Sequence, residues 1–291
     1  MKRTTAKYLR TTGLVLGAVL WLAGAAEARP ACGRPAQASA GDTSGLVSPM
    51  EYPGYHLVWH DEFNGKRLDT ASWNYEKGGH GWGNHELEYY TARKQNVFLK
   101  KGMLVIQARK EAYGGNAYTS ARITTQGKRE FQYGRVDIRA RLPVAKGMWP
   151  ALWMLGRNIG SVSWPACGEI DIMEVIGKNS SQVVGSLHWK KADGREGTFN
   201  NRYDLAAGDF STHFHVFSLI WERDSIQILV DNIPYVKASR RELSDGDYPF
   251  SQPFFFIFNV AVGGDWPGSP DHTTVFPQRM YVDYVRVFSK N

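Results

Sequence analysis

The sequence predicts an all-β chain, folded as a sandwich or a barrel, and three observations carry that expectation. Residues 135–142 alternate strictly, with Val136, Ile138, Ala140 and Leu142 interleaved with Arg135, Asp137, Arg139 and Arg141, the two-residue period of a strand. No stretch sustains a helical period, and strand-like runs follow one another without the alternation of strands and helices that marks a parallel α/β sheet. The chain also holds 10 Trp, 14 Tyr and 30 Gly, a wealth of aromatic and turn residues that suits strands and turns better than helices. At 43% hydrophobic and 22% charged, it has apolar residues enough for a sizeable core.

Taken from the N-terminus, Lys2, Arg3, Lys7 and Arg10 form a basic region ahead of the apolar run Gly13 to Ala25. Ala26-Glu27-Ala28 then offers a small-x-small cleavage site, so residues 1–28 read as a signal peptide and the protein as secreted, extracellular or periplasmic. The apolar run is too short to span a bilayer, which takes roughly 20 residues; no membrane attachment is expected once it is cleaved. Removing it takes away four cations and one anion (Glu27), lowering the formal charge from +7 to +4. The remaining Lys and Arg are scattered among acids, which argues against a nucleic-acid partner. Residues 29–50 are small and polar and read as a flexible leader. Cys32 falls within it and Cys167 outside it; two thiols give neither a disulfide framework nor a metal-site spacing, and a bond between them is not favoured.

The body of the chain, 51–291, reads as one domain without repeats or linkers, expected as a monomer. Residues 97–109 form a hairpin around Lys101-Gly102, with Leu104, Ile106 and Ala108 facing one way. The segment 135–142 is a strand with one face in a core and the other in water. A second hairpin fits 214–237, with turn chemistry at Arg223-Asp224-Ser225 and Asp231-Asn232. Late strands follow at 253–262 and 280–288, and 238–245 is the one place for a short helical turn.

The segment Cys167-Gly168-Glu169-Ile170-Asp171-Ile172-Met173-Glu174-Val175-Ile176-Gly177 carries the chemistry. Its apolar residues are strand formers, so Glu169 and Asp171 share a face. Glu174, five positions after Glu169, falls on the opposite face of a regular strand. One extra residue in a bulge at Ile172-Met173 restores parity and puts all three carboxylates in one row. Such a row makes its members hard to ionise together. That suits a glycosidase, which needs one carboxylate charged and another protonated near neutral pH, with the pKa of Glu174 raised by its acidic neighbours. Acid clusters also bind Ca²⁺, and this segment alone leaves a cation site open beside catalysis.

GEIDIME, preceded by MWPALWML and WPAC, resembles the active-site strand of glycoside hydrolase family 16, and most of all its bacterial endo-β-1,3-glucanases, the laminarinases. GWGNHELEYYT near residue 81, AVGGDWPGSPD near 261 and VDYVRVF at the C-terminus extend the likeness over roughly 51–289. The resemblance implies a β-jelly-roll of two curved antiparallel sheets with a glycan cleft on the concave face, and a β-glucan polysaccharide as substrate. It implies retaining hydrolysis through a covalent glycosyl-enzyme, with Glu169 as nucleophile, Asp171 assisting and Glu174 as general acid/base. No cofactor is expected for catalysis. Trp149 and Trp153, four apart and on one face if extended, would line the groove, and Trp164 and Trp266 would serve as outer platforms. Asn84 and His188 match sugar-binding positions. Many members hold a structural Ca²⁺ on the convex side; Asp283 matches its side-chain ligand, with carbonyls from near Glu62 and Gly102. Mixed β-1,3/1,4 cleavage, transglycosylation and, further off, a non-catalytic glucan-binding role are the alternatives.

Overall fold

The computed structural model describes residues 44–243 and 245–291. The expected signal peptide, the leader up to residue 43 and Cys32 lie outside the described residues. In chain order the strands are β1 (Tyr55–Asp61), β2 (Asn74–Glu76), β3 (Glu88–Tyr90), β4 (Val97–Leu99), β5 (Leu104–Tyr113), β6 (Asn116–Ser120), β7 (Arg122–Thr124) and β8 (Gly134–Arg141). They continue as β9 (Met148–Gly156), β10 (Glu169–Glu174), β11 (Gln182–Lys190), β12 (Glu196–Asp204), β13 (His215–Glu222), β14 (Ser225–Val230), β15 (Ile233–Ser239), β16 (Phe254–Val262) and β17 (Gln278–Lys290).

They form two sheets. One runs β12-β11-β10-β9-β16-β7-β2 and carries the cleft; the outer one runs β15-β14-β13-β8-β17-β5-β6-β3, with β1 added on β17 and β4 on β5. The pairing is antiparallel apart from β3 with β6. This is the two-sheet sandwich that the alternating segments imply.

The core lies between the sheets, where Val136, Ile138 and Ala140 from β8 and Leu104, Ile106 and Ala108 from β5 meet Leu152, Met154, Ile170, Ile172, Phe256 and Phe258. Full burial of a side chain such as Ile172 contributes roughly 1.5–3 kcal/mol. The turn positions follow from local chemistry. Lys101 and Gly102 have φ of 53° and 70°, and Asp231 and Asn232 have 50° and 68°, the left-handed pairs that match the twist of a tight hairpin. The 214–237 segment holds two successive hairpins, since β14 turns again into β15. Residues 240–243 make turns rather than the expected helix; the Glu242 carboxylate accepts from Ser239 N and Oγ at 2.8 and 2.7 Å, closing the turn locally. Among the described residues the short α-helix is Ile159–Val162 instead, with a 3₁₀ turn at Pro249–Ser251.

Two expectations fail together. The polar face of β8 is not in water, and residues 44–50 are not a free leader. Arg135, Asp137, Arg139 and Arg141 are all buried: residues 44–52 lie across the first three, and Arg141 stacks on Phe214 and Tyr281. Arg139 Nε donates to Leu46 O at 2.6 Å, Tyr52 OH donates to Asp137 Oδ2 at 2.7 Å, and Arg135 stacks on the Tyr52 ring. Ser48 N donates to Tyr284 OH at 2.7 Å, and Arg286 Nη1 donates to Ser48 O at 2.7 Å. Gly45, at φ 114°, bridges Phe214 so closely that a Cβ would stand 1.9 Å from the Phe214 carbonyl oxygen. A polar strand face needs partners for its charges, and the sequence did not show that protein groups rather than water supply them.

Candidate active site

The bulge falls within the expected pair. Against β9, Asp171 pairs with Trp153 and Met173 with Leu152, so Ile172 is the extra residue. Against β11, three steps along β10 from Asp171 to Glu174 match two from Ser186 to Val184. Ile172 and Met173 both point into the core. Tyr235 OH donates to the Ile172 carbonyl at 2.9 Å. Glu169, Asp171 and Glu174 consequently line one cleft, with Trp149, Trp153, Trp164 and Asn84 around them.

Burial dominates the electrostatics of the row. It raises Glu169 well above the ordinary carboxylate range, with Asp171 and Glu174 adding repulsion and His188 opposing. Asp171 is likewise held well above its range by burial and then by Glu174. Glu169 and Asp171 also share a hydrogen bond. Glu174 is raised by burial, against the pull of the Trp149 N–H, which reaches its Oε1 at 2.9 Å, and of His188. Desolvation, rather than the acidic neighbours invoked from sequence, therefore accounts for its shift.

His188 stands opposite Glu169 on β11. Its Nε2 lies 3.2 Å from Asp171 Oδ2 and its Nδ1 2.6 Å from Glu196 Oε1, which also accepts from Thr198 Oγ1 at 2.9 Å. The ring is thus held between acids, near Trp164 at 6.3 Å between centroids. Trp153 Nε1 donates to Asn259 Oδ1 at 2.7 Å, and Trp266 packs edge-on against Trp149 at 5.5 Å. Trp164 and Trp266 are exposed, at 46% and 39%, which leaves their faces free to meet a ligand. Asn84 Nδ2 donates to Glu86 Oε1 at 3.1 Å. Buried Cys167, just ahead of the row, carries a thiol pushed up to about 11 by burial and the Glu169 charge.

Sequence reasoning missed the opposite wall. Trp82, Glu86, Arg122 and Asn259 also line the cleft, and Arg122 is paired with Glu76 and stacked between the rings of Trp82 and Trp153. Below them Tyr90 OH donates to Glu86 Oε2 at 2.9 Å and accepts from Asn259 Nδ2 at 3.1 Å. A hydrogen-bonded chain therefore runs Trp153–Asn259–Tyr90–Glu86–Asn84 along the cleft floor. Burial and then Glu86 keep its neighbour Glu88 well above the carboxylate range. The signal was present in GWGNHELEYYT, whose two glutamates stand among aromatics.

The residues expected to hold Ca²⁺ lie on or beside the outer sheet, and none of them lines this cleft. Asp61 pairs with Val285 and Leu104 with Val282, so Asp283 stands where β17 changes partner from β5 to β1, with Glu62 just past the end of β1 and Gly102 just ahead of β5. Asp283 sits in a bulge against β8 and shares Oδ2 with Arg139 Nη1 at 2.7 Å. The Glu62 carboxylate is taken up by Arg286 at 2.8 Å, consistent with a carbonyl rather than a side-chain donor there. Oxygen donors suit a hard cation, and here the Asp283 carboxylate is already paired with Arg139.

Residues 84–286 match the model of the glycosyl hydrolases family 16. A β-glucanase of Rhodothermus marinus is 44% identical over 246 residues, spanning 81% of this chain and 86% of that protein. A glucan endo-1,3-β-glucosidase of Cryptopygus antarcticus is 39% identical over 81% of this chain and 92% of its own length. The laminarinase catalytic domain of Thermotoga maritima MSB8 superposes with a TM-score of 0.76 at 48% identity, covering 81% of this chain and 99% of that one.

Proposed function

The chain belongs to glycosyl hydrolases family 16, and from that premise we propose that it is a retaining endo-β-1,3-glucanase acting on laminarin-type β-glucans. The observation that carries the reading is the Ile172 bulge, which lines three carboxylates along one aromatic-walled cleft. Glu169 attacks the anomeric carbon as the glycosidic C–O bond breaks, and Glu174 gives its proton to the departing oxygen. Glu174 then takes a proton from water, which displaces Glu169 from the same carbon with retention. Attack requires an ionised Glu169; Asp171, which shares a hydrogen bond with it, assists by keeping the proton of that bond on its own carboxyl. Trp149 positions Glu174 through its N–H and, with Trp153, offers the flat faces on which sugar rings stack. Trp164, Trp266, Asn84 and His188 extend sugar binding around this centre.

Hydrolysis of a panel of laminarin, curdlan, lichenan, agarose and carrageenan with product sizing tests this. Laminarin is expected to be cut fastest, giving a ladder of oligosaccharides early. Faster cleavage of lichenan favours the mixed-linkage reading, and glucose as the sole first product contradicts internal cleavage. The N-terminal segment supports export with cleavage after Ala28, checked by the N-terminal sequence of the secreted protein. A Ca²⁺ held by Asp283 and carbonyls near Glu62 and Gly102 would stabilise the outer sheet and supply no chemistry.

A further inference from the structure

Glu169, Asp171 and His188 present donor atoms that all lie within 4.8 Å of one another. From this we propose that they form an inhibitory binding site for a divalent transition metal, with zinc as the type ion. Two further observations point to a ligand. Asp171 is buried, 2% exposed, and its Oδ2 has no hydrogen-bond partner among the described residues. His188 Nδ1 approaches Glu196 Oε1 at 2.6 Å, and its Nε2 stands 3.2 Å from Asp171 Oδ2. A carboxylate that fixes the far nitrogen of a histidine is also the arrangement by which proteins orient a metal-binding imidazole.

The dimensions are close to those needed. Zinc binds imidazole nitrogen and carboxylate oxygen at about 2.0–2.2 Å. Two donors on opposite sides of one ion are therefore at most about 4.4 Å apart, and the observed spacing closes with shifts of a few tenths of an ångström. Three protein donors leave a fourth position open to the cleft. The imidazole selects the class of ion: Zn²⁺ and Cu²⁺ accept it, whereas Ca²⁺ seeks six to eight oxygens and Mg²⁺ an oxygen octahedron. A dication also relieves the repulsion along the row. Glu174, tied to Trp149, stays outside the set. The metal would occupy the lone pairs with which Glu169 attacks, so its inhibitory effect rests on the nucleophile role proposed above.

Zn²⁺ titrated calorimetrically into the EDTA-stripped, dialysed full-length secreted protein tests this, with Ca²⁺ and Mg²⁺ in parallel. One Zn²⁺ should bind per chain, and Ca²⁺ and Mg²⁺ should not compete for it. Glu196→Gln, which touches no donor directly, should weaken Zn²⁺ binding about 10–100-fold with little change in metal-free melting temperature. His188→Ala should abolish it, and His85→Ala, which removes an exposed His–Asp pair, should leave it intact. Laminarin hydrolysis should fall over the same Zn²⁺ range and return on adding EDTA. Absence of saturable binding, or binding undiminished in both His188→Ala and Glu196→Gln, overturns the site. Binding through His188 without loss of hydrolysis overturns the inhibition. A protein inert to laminarin that still binds zinc through His188 supports the site and counts against the function proposed above.

Discussion

Replacing Tyr90 with Phe removes one oxygen atom from the floor of the cleft and leaves the buried ring in place. That oxygen closes two hydrogen bonds, donating to Glu86 Oε2 at 2.9 Å and accepting from Asn259 Nδ2 at 3.1 Å. Burial, with Glu88 and Glu86 nearby, holds the phenol far above its ordinary range, so it remains a donor at any working pH. Both partners are buried, at 7% and 5% exposure, and no protein group among the described residues is placed to replace the lost oxygen. A buried polar atom left unpaired costs about 1–3 kcal/mol; two such atoms, one of them at the cleft wall where water reaches, give roughly 2–4 kcal/mol. For a domain of this size that is a fall in melting temperature of roughly 5–15 °C. The loss should extend to function, because Asn259 also fixes the Trp153 indole; KM on laminarin should rise more than kcat falls. Thermal melts followed by circular dichroism, with Michaelis curves below the transition, measure both. A shift under about 2 °C would refute the reasoning, since the chain from Trp153 to Asn84 would then have no energetic substance.

The role assignment predicts opposite stereochemistry in two variants. With an activated aryl β-glucoside oligomer, Glu174→Ala plus azide should give the β-azide, and Glu169→Ala the α-azide; each should lose at least ~10²–10⁴-fold on unactivated glucan. Identical products from both would sink the assignment. The buried row also sets a pH dependence of stability. Glu169, Asp171 and Glu174 have folded values raised chiefly by burial. Their contribution is therefore complete below the ordinary carboxylate range and lost as pH rises through the raised folded values. Glu169→Gln should melt close to the parent near pH 4 and increasingly above it toward pH 8; a constant or shrinking gap would contradict this. Chelation by EDTA should lower the melting temperature of the parent but not of Asp283→Ala, with saturating laminarin activity unchanged below the transition. Activity lost without a change in melting would place the ion in the cleft.

Local chemistry was legible in the sequence. The two-residue period of 135–142 placed Val136, Ile138 and Ala140 in the core, and the left-handed turns at Lys101-Gly102 and Asp231-Asn232 followed from residues that tolerate them. The count from Glu169 to Glu174 required an extra residue, which the strand accommodates at Ile172. Each of these depends on neighbours a few positions apart, whose geometry the backbone dictates. Only the tertiary structure decided the partners of polar groups. Residues 44–52 cover Arg135 and Arg139, Glu196 stands behind His188, and Asn259 reaches a Tyr90 169 residues away to steady Trp153. A charged or hydroxyl side chain is equally well satisfied by water or by protein. Which one it meets depends on the strand that packs beside it, and no periodicity in the chain records that.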